Sequence, residues 1–323
     1  MRQKALIGLR KYQDAERRIL PRKTPVHAAC HNVKLLHHGK RTKKGAAPVL
    51  LVPSLINPPH ILDLSERASL AQYLTSKGHD TWLIDWGHPD SEDASLDLAG
   101  HIEHRLLPLI EAMDTPPILV GYCLGGTLSL AAAQLAKATP AVVTIAAPWD
   151  FARYPAQNLE TIASLWEKAK PLCETLGYMP MEVMQSGFWA LDPARTIKKY
   201  ADFADLEPGS DAEQSFIALE DWANQGAPLT FRAAQELFEG LYRDNKTAKG
   251  AWQVGDKTIN IDMLSCPSYS IESAMDRIVP VESSPPLQER TQSTLGHVGM
   301  IVSAKAPEQI WKTLSLWLSN HGG

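Results

Sequence analysis

Ile118-Leu119-Val120-Gly121-Tyr122-Cys123-Leu124-Gly125-Gly126-Thr127 is the stretch from which the rest of the chain can be read. Its first three residues form a short apolar run that predicts a buried strand, and residues 127–137 are helix-prone, so only the few positions around Cys123 are left to turn strand into helix. A turn that sharp strains the backbone at its apex, and side chains at Gly121 and Gly125 would collide with neighbouring elements. The thiol is thereby presented at a helix N-terminus. There the helix dipole favours negative charge on the sulfur, and the backbone N–H of Leu124 is free to hold an oxyanion. Most free cysteines are small buried core residues, but strand, Gly-x-Cys-x-Gly and helix in immediate succession point to a nucleophile.

Working outward, residues 49–52 and 81–84 predict buried strands on the N-terminal side, with helices near 65–77 and 96–113 between them and the elbow. Residues 141–145 predict the next strand, and 268–271 and 292–294 two more. Such alternation implies an α/β chain with a mostly parallel sheet, flanking helices and ligands at the carboxyl ends of the strands. The pattern breaks after Pro148-Trp149-Asp150-Phe151. From there to about residue 249 the periodicity is helical only (159–176, 212–224, 229–243), which reads as a cap inserted over the site. Its Trp166, Phe188, Trp189, Trp222, Phe231 and Phe238 supply apolar mass for excluding water. A hairpin is predicted at 252–261, turning at Gly255-Asp256, and a closing helix at 307–320 with Ile310, Trp311, Leu314, Trp317 and Leu318 on one core-facing stripe. The domain plan is a basic arm (1–44), a core (45–150 and 250–323) and a cap (151–249).

The 323 residues and 44% hydrophobic content suit one large core with an insertion. No apolar run is long enough to span a membrane, and the opening residues lack a signal peptide's apolar stretch. Cys30, Cys123, Cys173 and Cys266 are too scattered for a metal site or a disulfide framework, and a reactive thiol fits a reducing cytoplasm. The net charge of −4 hides an asymmetry: residues 1–44 carry 13 lysines and arginines against Asp14 and Glu16, a balance of +11, leaving −15 for the remainder. The arm is read either as a binding element for an anionic partner or as a solvated helix.

The elbow resembles that of the α/β-hydrolases, with cysteine in place of the usual serine. In that fold an acid and then a histidine follow the nucleophile, each on a loop after a late strand. Asp276, beyond the strand at 268–271, fits the acid. His297, flanked by Gly296 and Gly299 beyond the last strand, fits the base. The remaining histidines lie before the elbow, in early connections or at the terminus. Asp276 would orient His297, His297 would take the proton of Cys123, and the thiolate would attack a carbonyl. Leu124 N–H would form half of the oxyanion hole. The other half would come from a backbone N–H near Leu55 or Ile56, for which Ile56 is taken, since Pro53 cannot donate.

A Gly-Tyr-Cys-Leu-Gly-Gly elbow resembles both the dienelactone hydrolases and the polyhydroxyalkanoate synthases. Dienelactone hydrolases are compact and place their acid much sooner than the 153 residues that separate Asp276 from Cys123 here. The chain is similar to a short-form (class III) polyhydroxyalkanoate synthase catalytic subunit in Leu51-Val52-Pro53, Ile56-Asn57-Pro58-Pro59-His60-Ile61-Leu62-Asp63-Leu64, Leu83-Ile84-Asp85-Trp86-Gly87 and Pro148-Trp149-Asp150-Phe151. The likeness continues through Ser186-Gly187-Phe188-Trp189-Ala190-Leu191-Asp192-Pro193, Leu241-Tyr242-Arg243-Asp244-Asn245-Lys246, Asp276-Arg277-Ile278-Val279-Pro280 and Gly296-His297. His60 stands where the family pattern has an aromatic residue, Arg277 where histidine or a small residue is common, and the segment between Asp276 and His297 is short. The resemblance implies polymerisation of 3-hydroxyacyl-coenzyme A into polyester with release of coenzyme A, Cys123, Asp276 and His297 being the catalytic residues. It further implies no cofactor beyond the coenzyme A of the substrate, no metal, no nucleic acid and no transmembrane segment. It places a homodimer in the cytoplasm at polymer granule surfaces, with a helical partner subunit in some members. A cysteine-dependent thioesterase or esterase with dienelactone hydrolase-like chemistry, or a non-catalytic granule-associated protein, are the alternatives.

Overall fold

Side chains alternate across the sheet at every interior strand, and this divides the core into two apolar layers. The computed structural model describes residues 1–39, 46–191 and 193–322, without the side chains of residues 188, 190 and 191. Eight strands form the sheet: β1 (Val26–Cys30), β2 (Val33–His37), β3 (Val49–Val52), β4 (Thr81–Asp85), β5 (Ile118–Tyr122), β6 (Val142–Ile145), β7 (Ser268–Ser273) and β8 (Glu289–Ser293). They lie in the order β1-β2-β4-β3-β5-β6-β7-β8. The pairs β1–β2 and β2–β4 are antiparallel and all others parallel. In β3 and β5, Leu50 pairs with Leu119 and Leu51 with Val120. Val49, Leu51, Ile118 and Val120 pack toward Ile310, Leu314 and Leu318 of the closing helix, while Leu50, Val52 and Leu119 pack toward Leu124 and Leu128 of the elbow helix. A sheet covered on both faces needs continuously apolar strands, which is why these segments do not alternate in sequence.

The predicted strands are present within a few residues, and the hairpin turns at Gly255, whose φ of 59° suits glycine. All five residues of the predicted stripe on the closing helix are buried. Between β6 and β7 the chain forms the helices Ala156–Leu176, Met181–Leu191, Pro193–Phe203, Asp211–Asn224 and Phe231–Gln235, the last continuing to Arg243. A two-residue strand pairing of Tyr178–Met179 with Leu229–Thr230 ties this insertion together.

The stretch 1–44 does not behave as one arm. Residues 26–37 enter the sheet as β1 and β2, with Val33 and Leu35 buried. Intervening Lys34 and the neighbouring basic residues conceal that short alternation in a charge count. One face of the helix Arg2–Asp14, with Gly8 and Tyr12 buried, lies on the cap, while most of its other residues are exposed. Gly8 meets the backbone of Tyr200 so closely that a Cβ there would stand 1.8 Å from the Tyr200 carbonyl oxygen. Tyr12 packs with Tyr200, Phe203 and Ile217 and donates to Asp221 at 2.6 Å. Lys4 pairs with Asp205, Lys11 with Glu213 at 3.0 Å and Arg17 with Asp221 at 3.2 Å. Part of the basic excess is thus matched within the chain itself. Lys40, Arg41, Lys43 and Lys44 lie outside the described residues.

Candidate active site

The elbow is as tight as its glycines predict. Cys123 directly follows β5 and caps the helix Leu124–Leu135 with φ 56° and ψ −132°, a conformation that costs a non-glycine residue about 1–3 kcal/mol. A Cβ on Gly121 would stand 2.4 Å from Gly126 Cα, and one on Gly125 would stand 2.1 Å from the Val52 carbonyl oxygen. The Cys123 amide donates to Ile145 O at 2.9 Å, anchoring the apex to β6. Leu124 is the first residue of a twelve-residue helix, where backbone N–H groups have no intrahelical acceptor.

Asp276 follows β7 and His297 follows β8, the ends nearest the elbow. Asp276 Oδ2 lies 2.7 Å from His297 Nδ1, and both side chains are almost wholly buried. Asp276 Oδ1 accepts from the amides of Ile278 at 2.8 Å and Val279 at 3.0 Å, so the carboxylate cannot turn. Burial acts to lower the imidazole's pKa, but the Asp276 carboxylate and then the Cys123 sulfur, each by charge and by hydrogen bonding, push it up to about 10. Tyr122 supports the ring, with centroids 5.2 Å apart. The three predicted residues are therefore brought together, with His297 bonded to Asp276 on one side and in hydrogen-bonding reach of the Cys123 sulfur on the other.

Leu124 and Ile56 both line the cavity with Cys123. The Ile56 amide donates to Ser54 Oγ at 3.1 Å, a bond that an oxyanion would have to share or displace. The cavity measures about 80 Å³ and its walls are largely apolar, including Phe151, Leu165, Met184 and Phe238. Of the aromatic residues expected over the site, Trp166 stacks on Phe238 with centroids 5.0 Å apart and on Phe231 at 6.1 Å. Trp222 instead belongs to the opposite layer and donates to Pro58 O at 2.9 Å, and Trp189 is about half exposed. The side chain of Phe188 lies outside the described residues.

Among the cavity residues that the sequence did not single out as site residues are two tyrosines, Tyr154 and Tyr242. Both sit in or beside quoted motifs, and Asn245 explains why those motifs occur together. Asn245 accepts from the Phe151 amide at 2.9 Å and donates to Asp150 Oδ1 at 2.8 Å, while Thr247 donates to Trp149 O. The end of the cap is thereby fastened to the loop after β6, with tyrosines from both in one wall. The signal available in sequence was position, since a loop directly after a parallel strand opens onto the ligand end of the sheet. Among the described residues, no group of three or more His, Cys, Asp or Glu is placed to hold a metal, and no helix is long and apolar enough to cross a membrane.

Residues 49–280 match the alpha/beta hydrolase family. The chain is similar to the poly(3-hydroxyalkanoate) polymerase subunit PhaC of Thiocystis violacea, 28% identical over 318 residues, covering 92% of this chain and 88% of that protein. It is also 28% identical to the subunit of the same name from Haloarcula marismortui, covering 86% of this chain. The chain spans 62% of the length of that protein and of the one from Haloferax mediterranei. Among solved structures, the alpha/beta hydrolase GrgF from Penicillium sp. sh18 superposes with a TM-score of 0.55 at 18% identity, covering 94% of this chain and 99% of that one. The likeness to polyhydroxyalkanoate synthases read from motifs is borne out over most of the chain, and so is the fold.

Proposed function

Because this chain belongs to the alpha/beta hydrolase family, we propose that its elbow cysteine makes it an acyltransferase that polymerises 3-hydroxyacyl-coenzyme A. The observation that carries the reading is the Cys123, His297 and Asp276 arrangement, in a chain whose relatives are named poly(3-hydroxyalkanoate) polymerase subunits. His297 takes the Cys123 proton, and the sulfur attacks the thioester carbonyl carbon. Amides of Leu124 and Ile56 hold the developing oxyanion. The bond to the coenzyme A sulfur then breaks, and His297 returns the proton to that leaving thiolate. In the second half, the 3-hydroxyl of another acyl unit loses its proton to His297 and attacks the acyl-cysteine. An ester forms, and the released cysteine sulfur takes the proton back from His297.

Thioester to thioester transfer is nearly balanced in energy, so cysteine keeps the acyl group activated for the next hydroxyl. The same reading has the protein working in the cytoplasm as a homodimer at granule surfaces, with a helical partner subunit and no cofactor beyond the substrate's own coenzyme A. Incubating purified protein with 3-hydroxybutyryl-coenzyme A, with and without a partner subunit, tests it. Coenzyme A release should be matched by polymer-bound acyl units. Release matched by free 3-hydroxybutyrate under both conditions would make the protein a thioesterase, and no release from the native protein would leave it non-catalytic.

A further inference from the structure

Among the described residues of the cavity wall, Tyr154 carries a buried hydroxyl that the acyl-transfer scheme leaves unused and that has no hydrogen bond of acceptable geometry. The residue is 6% exposed, it lines the cavity with Cys123, and its hydroxyl makes no hydrogen bond of acceptable geometry. A buried hydroxyl without a partner is an expense that most folds avoid. Here the ring is rigidly held. It stacks on Phe151 at 6.0 Å with the planes 7° apart, and Tyr242 meets it edge-on at 5.3 Å. Phe151 is in turn fixed by Asn245.

Burial keeps the Tyr154 hydroxyl protonated; the Tyr242 hydroxyl, close by in a contact that falls short of hydrogen-bond geometry, and the charges of Cys123 and Asp276 push its pKa up in the same direction. Its place in the wall of the cavity that Cys123 also lines sets the hydroxyl beside the reacting atoms. The surrounding wall offers little competition. Ile162, Leu165 and Leu237 are apolar and the Thr161 hydroxyl is occupied by Gln157 O at 2.8 Å, which leaves Asn158 and Tyr242 as the remaining amide and hydroxyl bearers of the wall. A fixed, protonated and unpaired hydroxyl in an apolar acyl cavity suits an acyl group that carries a hydroxyl of its own.

We propose that the Tyr154 hydroxyl hydrogen-bonds the 3-hydroxyl of the acyl unit and so selects 3-hydroxyacyl thioesters over thioesters without that hydroxyl. The inference rests on the acyl-cysteine reading of Cys123. A site built around a substrate hydroxyl rejects the analogue lacking it, because its own polar group then stays buried and unpaired.

The test compares acylation of Cys123, followed by mass spectrometry in single turnovers, with 3-hydroxybutyryl-coenzyme A and butyryl-coenzyme A. The native protein should favour the hydroxylated substrate by at least about tenfold in kcat/KM. Tyr154→Phe should bring the ratio below about twofold, chiefly by slowing the hydroxylated substrate. Since phenylalanine keeps the ring and deletes only the unpaired oxygen, the melting temperature of Tyr154→Phe should equal or exceed that of the native protein. Equal acylation of the native protein by both substrates would overturn the inference and leave the acyl-transfer reading standing. So would a retained preference in Tyr154→Phe, or a lower melting temperature, which would reveal the hydroxyl as a structural bond. If neither substrate adds mass to native Cys123, the acyl-transfer reading falls and this inference falls with it.

Discussion

Asp276→Asn removes a charge from the site with almost no change in volume, and its effects can be followed atom by atom. In the native protein Oδ1 is engaged by the amides of Ile278 and Val279, and Oδ2 by His297 Nδ1. Asparagine has a single oxygen. If the two amides keep it, the side-chain NH₂ faces the Nδ1–H as donor against donor, and the imidazole must move its proton to Nε2. The nitrogen that should receive the thiol proton is then already protonated. Burial, no longer opposed by the carboxylate, also draws the imidazole pKa down from about 10. That value stands above the ordinary 6.5 by an amount equivalent to on the order of 5 kcal/mol, at 1.36 kcal/mol per pH unit.

Two assays should feel this loss differently. Alkylation of Cys123 by iodoacetamide needs only an ionised sulfur. Its rate at pH 7 should fall by less than that of acyl transfer, because no proton has to be carried to a leaving group. Acyl transfer also needs His297 to carry a proton to the leaving thiol, and it should fall by about 10³-fold or more. Stability supplies an independent check. A histidine whose folded-state pKa is raised adds stability that is complete below pH 6.5 and drains away as pH rises through about 10. The gap between native and Asp276→Asn proteins in urea unfolding should therefore narrow from pH 6.5 to 10. A gap independent of pH, or alkylation and acylation rates that fall equally, would refute this account of the pair.

Three further outcomes are expected. Gly125→Ala would drive a methyl to 2.1 Å from Val52 O and 2.5 Å from Pro53 O, both backbone atoms; a loss of about 1–3 kcal/mol or more in urea unfolding should accompany loss of the elbow, and an unchanged midpoint would refute the close approach. Arg105→Ala would strand Asp93, which pairs with Arg105 at 2.7 Å in a buried site, and should cost about 3–5 kcal/mol. Burial works to raise the Asp93 pKa, yet Arg105 and the other hydrogen-bond partners hold it below its usual value, so its contribution is present at neutral pH and lost on acidification through that lowered pKa; acid denaturation of Arg105→Ala should begin at a higher pH than in the native protein. Gly8→Val should detach the N-terminal helix from the cap and expose residues 15–25 to limited proteolysis, and cleavage identical to the native pattern would refute the docking.

The sheet and the meeting of the candidate site residues were legible because both depend on local signals. Continuous apolar runs mark the inner strands, glycines around Cys123 mark the elbow, and chain order points to Asp276 and His297. What escaped depends on contacts between distant residues. Strands β1 and β2 are short edge elements within a basic stretch, where Val33 and Leu35 are two apolar positions among many charges. The seat of the N-terminal helix depends on Asp205, Glu213 and Asp221, some 200 residues away, and no local pattern in residues 2–14 announces it. Tyr154 and Tyr242 lie 88 positions apart and acquire a shared cavity only through Asn245.

The seat of that helix also bears on how the chain assembles during its own synthesis. Tyr12 leaves the ribosome 209 residues ahead of its partner Asp221, an interval of roughly 10–40 s at ordinary translation rates. Through that interval the helix has no surface to rest on, and the strands that follow it can pair first. Its docking is thus one of the last steps in building the cap. Chaperones or proteases that act on nascent chains would meet it bare, and a finished molecule would differ from an incomplete one by whether this early-made helix has found its place.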